Sequence, residues 1–130
     1  MTITVEVPPV AGVPQAQGDL SFWPWDEQVS SRRRAADIAA AQPVTGPVVL
    51  VTGSGGHDHT LMSAGMSLHT TDLRWHRYPG DSQTLGVLVV GQGLEAVVRH
   101  AEHGDNRIGP GVYAVRRQRE QADEIRMVQD

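Results

Sequence analysis

Six histidines are the residues of this 130-residue chain best suited to chemistry, and four of them fall in two close pairs. His57 and His59 stand at i and i+2 in the stretch GGHDHT. On an extended backbone both point to one face, about 7 Å apart at the Cα atoms, a separation from which two imidazoles can converge on one metal. His100 and His103 stand at i and i+3 in RHAEHGD, where a turn would aim them at a common centre. Glu102 and Asp105 lie beside them as carboxylate ligands or as partners that orient the rings. The pattern predicts a site built from His57, His59 and His103, with His100 or Glu102 as a fourth ligand. It would hold Zn, Fe, Mn, Ni or Cu with a coordination position left open. Such a metal would activate water or oxygen, or polarise a small carbonyl or carboxylate substrate. Arg99, Arg107 and Arg117 are candidates to orient an anionic substrate, with Tyr113 as a further substrate contact. If His100 closes a strand, its imidazole can instead make a hydrogen bond at the strand end. His69 and His76 lie in an alternating segment with Trp75 and read as structural.

Composition removes other chemistries. All 11 basic residues are Arg, so no Schiff base, P-loop lysine or Ser–Lys dyad can be built. With zero Cys there is no disulfide, no thiolate ligand and no cysteine nucleophile. A net charge of −4 argues against a duplex nucleic-acid footprint, which rests on clustered positive charge. The N-terminal residues lack the basic start and apolar run of a signal peptide, and no stretch reaches ~18 apolar residues. The expectation is a cytoplasmic protein without a membrane span.

The His57-Asp58-His59 element resembles the first motif of the cupin superfamily, which carries His-X-His at the end of a strand. The Gly109 to Tyr113 segment, Gly-Pro-Gly-Val-Tyr, resembles the turn and strand of the second motif. Two positions depart from that pattern. No acid follows His59 over Thr60 to Ala64, and Tyr113 stands near the place of the second motif's His. The resemblance implies a small metal-binding β-barrel. The chain also resembles a family of small bacterial proteins that share Gly-His-X-His, His-X-X-His-Gly, Pro-Gly-X-Tyr and Arg-X-Gln-Arg-Glu. That second resemblance implies no particular activity.

The elements that must position these residues read mostly as strands. Thr2 to Val7 alternates and stops at Pro8-Pro9. Asp19 to Trp25 is aromatic, and Pro24 assigns it to an edge. Val48 to Thr52, Thr70 to Tyr78, Thr84 to Val90, Leu94 to His100 and Val112 to Arg119 are strand candidates bounded by Gly, Pro or turn residues. Gly53 to Gly56 and Ala101 to Gly111 read as turns. Asp26 to Gln42 is the one helical candidate, with Ser30 or Ser31 able to cap it. Short strands at this spacing predict a single mostly β domain, a small barrel or a two-sheet sandwich with at most one short helix. Residues 1–18 read as an extended arm and 120–130 as a charged tail.

Competing readings have less behind them. Val48 to Gly56 has the glycine cluster of a dinucleotide turn but no helix after it to hold a pyrophosphate. Ser54, Ser63 and Ser67 lie near histidines without a nucleophile elbow. The Arg116, Arg117, Arg119 cluster suits an anionic ligand or a solvated edge strand. Phe22, Trp23 and Trp25 could form an interface or close one end of the core. The main alternative to a metal site is therefore a non-catalytic subunit of a homo-oligomer or larger assembly, with histidines that are structural or sense pH.

Overall fold

The computed structural model describes residues 12–25, 31–53, 55–63, 72–80 and 83–117. The predicted Thr2 to Val7 strand, His69, Arg119 and the 120–130 tail lie outside these residues. The elements are β1 (Gln15–Gln17), β2 (Leu20–Pro24), α1 (Ser31–Ala40), β3 (Gln42–Pro43), β4 (Val48–Thr52), β5 (Asp58–Ser63), β6 (Leu73–Arg77), β7 (Thr84–Val90), β8 (Ala96–His100), β9 (Gly104–Ile108) and β10 (Gly111–Arg117). No helix among the described residues is long and apolar enough to cross a membrane.

Of the two architectures expected, the sandwich is realised. One sheet runs β1-β2-β10-β7-β6-β3 and the other β4-β5-β8-β9, with antiparallel pairing throughout both. Among the described residues no ladder joins them into a closed barrel. Side chains close the two seams instead. On one side, Gln15 Nε2 donates to the Arg107 carbonyl, and Asn106 Nδ2 donates to the Ala16 carbonyl. On the other, Arg77 donates to the carbonyls of Val49 and Leu50, which lie on edge strand β4.

The core lies between the sheets and takes alternate residues from each: Leu20 and Phe22 from β2, Leu61 from β5, Leu73 and Trp75 from β6, Val98 from β8, Tyr113 and Val115 from β10. Strand β7 is buried on both faces from Leu85 onward, which is why its sequence is an unbroken apolar run rather than an alternating one. Leu88 and Val90 point into the sandwich, while Val87 and Val89 meet a second cluster under α1, formed with Ala41 and Ile38. A register shift beside Arg116 leaves Leu85 unmatched on β10, and its side chain joins the inner core. Two polar anchors hold α1 down. Tyr78 donates to Asp37 Oδ2 at 2.6 Å, and Arg74 donates to the Ile38 carbonyl near the helix end.

Several expectations are corrected. Ala101 to Gly111 is not one long turn, because Gly104–Ile108 forms β9. The predicted arm is strand by Gln15, pairing with β2. The helix is described over Ser31–Ala40 and ends before Gln42, since Gln42–Pro43 pairs with β6; residues 26–30 of the predicted helix lie outside the described residues. Strand β2 is not an edge: it lies between β1 and β10. Pro24 is tolerated there because β1 reaches only to Phe22, leaving Pro24 paired on the β10 side alone.

Candidate functional site

Three hairpin turns carry the site at one end of the sandwich. The first, between β1 and β2, has two loop residues, Gly18 and Asp19. Gly18 has a φ of 57°, the left-handed value that a tight two-residue hairpin asks for at its first loop position. The second, residues 53–57, joins β4 to β5 and is closed by the Gly53 amide on the His57 carbonyl at 2.9 Å. The third, Ala101 to His103, joins β8 to β9, with His100 and Gly104 paired across it. All four histidines of the predicted pairs lie in or beside the second and third hairpins. Alternation along β5 turns His59 inward and Asp58 outward, while His57 precedes the strand, in the turn, and is exposed.

His59 is the fixed point. It is 1% exposed, and its Nδ1 lies 2.8 Å from Oε1 of Gln17, itself 2% exposed. The Gln17 amide cannot be turned round, since its Nε2 donates to the carbonyls of Val98 and Gly104, both at 2.7 Å. A carbonyl only accepts, so Oε1 must face the imidazole and accept from it. His59 Nδ1 therefore carries the proton, and the lone pair of the neutral ring is on Nε2. That Nε2 is buried and has no hydrogen-bond partner among the described residues. Burial, reinforced by neighbouring His100, pushes the pKa of His59 down to about 4, so the ring is neutral near pH 7.

His100 has the opposite assignment. Its Nδ1 accepts the backbone amides of Glu102 and His103, both at 3.1 Å. The imidazole thus caps its own hairpin, the strand-end hydrogen bond anticipated for it, and the neutral ring holds its proton on Nε2. Burial, then the proximity of His103, lowers the His100 pKa as well.

The rings form a stack leading from core to surface. His59 lies 4.2 Å from His100 between ring centroids, and His103 lies 4.6 Å from His100. His103 is stacked on His100 at 29° between planes and His59 is tilted against it at 36°, so His100 sits between the other two. His57 meets His100 edge-on at 5.9 Å and places its Nε2 3.1 Å from Glu102 Oε1. That pair is exposed on both sides and contributes little stability. As the side chains stand, no three His, Asp or Glu among the described residues are grouped to hold a metal ion. The simple convergence of His57, His59 and His103 expected from spacing is not the geometry found, because His100 is interposed.

The structure thus brings His57, His59, His100, His103 and Glu102 together. It places the other candidates elsewhere. Arg99 is on the outer face of its sheet, 3.6 Å from Asp105. Arg107 is held by Glu95 through both Nε and Nη2. Tyr113 is a core residue whose hydroxyl donates to the Gly109 carbonyl at 2.8 Å. Arg117 pairs with Leu20, the residue after the Gly18–Asp19 turn, and so ends β10 at the histidine end of the sandwich.

Two site residues escaped the sequence reading, Gln17 and Asp19. The signal was present as QAQGD, an alternating triplet running into a Gly-Asp turn. His103 packs flat on that turn, since a Cβ at Gly18 would stand 2.7 Å from its Cδ2 and Nε2.

Fold and site together define a two-sheet antiparallel β-sandwich with a histidine stack between three hairpin ends. The chain belongs to a family described as Domain of unknown function (DUF8820), whose model matches residues 16–118. The match takes in Gln17, Asp19 and all four stacked or adjoining histidines. No curated protein and no solved structure matches the chain.

Proposed function

We propose that the histidine end of the sandwich binds a divalent transition metal, with His59 Nε2 as the anchoring ligand and the exposed His57 and His103 completing the set by side-chain rotation. The observation that carries this is the tautomer of His59. A buried imidazole donates from Nδ1 to a rigidly held amide oxygen and presents an unpartnered lone pair at Nε2. This is the arrangement by which metal-ligating histidines are oriented and made more basic. Nitrogen and oxygen ligands without thiolate suit Zn, Fe, Mn, Co or Ni. With few protein ligands, such a site leaves a position for water or a small anionic molecule, which a bound metal would activate or polarise. Of the candidate arginines, Arg117 ends β10 at this end of the sandwich, and Arg99 stands beside His100 on the outer face.

The test is elemental mass spectrometry of the purified, untagged protein beside the His59→Ala variant, each also offered Zn(II), Co(II) and Mn(II). About one equivalent of metal in the parent, lost in the variant, supports the site. A parent that takes up none of the three overturns it.

A second reading, a non-catalytic interaction subunit, is favoured by Trp23. It stands 39% exposed on the outer sheet face, its indole N–H tied to Ser21 Oγ at 2.9 Å. A change in sedimentation coefficient between the parent and Trp23→Ser would support that reading.

A further inference from the structure

We infer that Asp19 is the carboxylate ligand of this metal site, and that the missing side chain of Gly53 keeps open the space in which the ion sits. This rests on the metal-site proposal above and extends it to a residue and a metal class.

Gly53 lies in the hairpin between β4 and β5, yet its φ is outside the left-handed region that demands glycine. Backbone conformation therefore does not require glycine here. A Cβ built there would stand 3.3 Å from His59 Nε2 and 3.5 Å from Asp19 Oδ2. The same small volume is thus bordered by the imidazole lone pair that lacks a partner among the described residues and by a carboxylate oxygen. Both atoms are acceptors. A cation between them would be held by both, and an alanine methyl would occupy the space instead.

The three hairpins contribute in distinct ways. The first supplies Asp19 and, through Gln17 at its base, the tautomer of His59. The second supplies Gly53 and His57. The third lays His103 on Gly18, next to Asp19 in the chain. Imidazole with carboxylate is a borderline-to-hard donor set. It selects Zn(II), Fe(II), Mn(II), Co(II) or Ni(II) over Cu(I), which prefers sulfur.

The experiment is calorimetric titration of the full chain with Zn(II), followed by Co(II) absorption, on the parent, Asp19→Asn and Gly53→Ala. Asn keeps the turn preference of Asp19, and circular dichroism checks that both variants fold. The expected result is about one equivalent bound by the parent and affinity weaker by about tenfold or more in both variants. Asp19→Asn binding as tightly as the parent overturns the inference, whatever Gly53→Ala does, while leaving the metal site itself standing. A parent that binds no metal overturns both together. If Gly53→Ala fails to fold, Asp19→Asn decides alone.

Discussion

The Nδ1 of His59 and the Oε1 of Gln17, 2.8 Å apart and both buried, link the edge strand of one sheet to an inner strand of the other. The contact is asymmetric because two backbone carbonyls hold the other end of the Gln17 amide. One glutamine therefore closes the seam between β1 and β9 and determines which imidazole nitrogen of His59 carries the lone pair. Seam and site are the same structure.

Gln17→Leu should remove both effects at once, each with its own readout. It leaves His59 Nδ1 and the carbonyls of Val98 and Gly104 without this partner. The expected loss is about 3 kcal/mol, since each buried polar group left unsatisfied costs ~1–3 kcal/mol. Urea unfolding measures it as a lower midpoint at unchanged slope. Nitrogen-15 NMR of the imidazoles should show the Nδ1–H form of His59 in the parent and its loss as the dominant tautomer in the variant.

Stability should fall as pH drops from about 6.5 toward about 4. Burial lowers the folded pKa of His59 to about 4, from the ordinary imidazole value of about 6.5. The unfolded chain therefore binds the proton first, and protonation favours unfolding. The contribution is fully present above the unfolded pKa and is lost progressively as pH falls to the folded one. Its ceiling is about 3 kcal/mol, from ~1.4 kcal/mol per pKa unit. His100, shifted in the same direction, adds to the slope. Urea midpoints across this window should drop steeply for the parent and less for His59→Gln. An equal slope in both would assign the acid sensitivity to other groups.

His100→Ala should loosen the third hairpin without opening the core. It removes the acceptor for the amides of Glu102 and His103. Hydrogen exchange at those two amides should accelerate, with a global cost of about 1–2 kcal/mol. His100→Asn, which restores a side-chain acceptor, should recover part of the protection.

The strands at Val48–Thr52 and Thr84–Val90 were legible because their apolar runs end at Gly or Pro. The gathering of His57, His59, His100, His103 and Glu102 was legible from two short spacings. Strand β9 was not: GDNRI has one fully buried side chain, and its backbone is satisfied partly by side chains of β1. Gln17 and Asp19 were not, because they join the site through a cross-sheet contact at a separation of 42 residues between Gln17 and His59. Nor was the interposed His100. Spacing fixes which face a ring leaves from, but stacking depends on the turn between His100 and Gly104.

Gly86→Ala should be the most damaging small substitution in the central sheet. Gly86 pairs with Arg77 on β6 and Val115 on β10 and is buried. A Cβ there would stand 2.8 Å from Cη2 of Trp75 and would also press on the His76 carbonyl. The indole is a rigid core residue, and the carbonyl belongs to a paired neighbouring strand, so neither is the far end of a flexible chain. Relief requires shifting Trp75 or parting β6 from β7. Overpacking of this kind costs about 1–3 kcal/mol or more. The rearrangement should register as a change in tryptophan fluorescence along with a lower urea midpoint. If the indole moves, the Arg77 guanidinium stacked 5.6 Å from its ring centroid moves with it. Arg77 also closes the β4 seam, so exchange at β4 amides should rise in the same variant. Trp75→Phe combined with Gly86→Ala removes the indole contact but leaves the His76 carbonyl pressed, so it should relieve only the indole part of the clash.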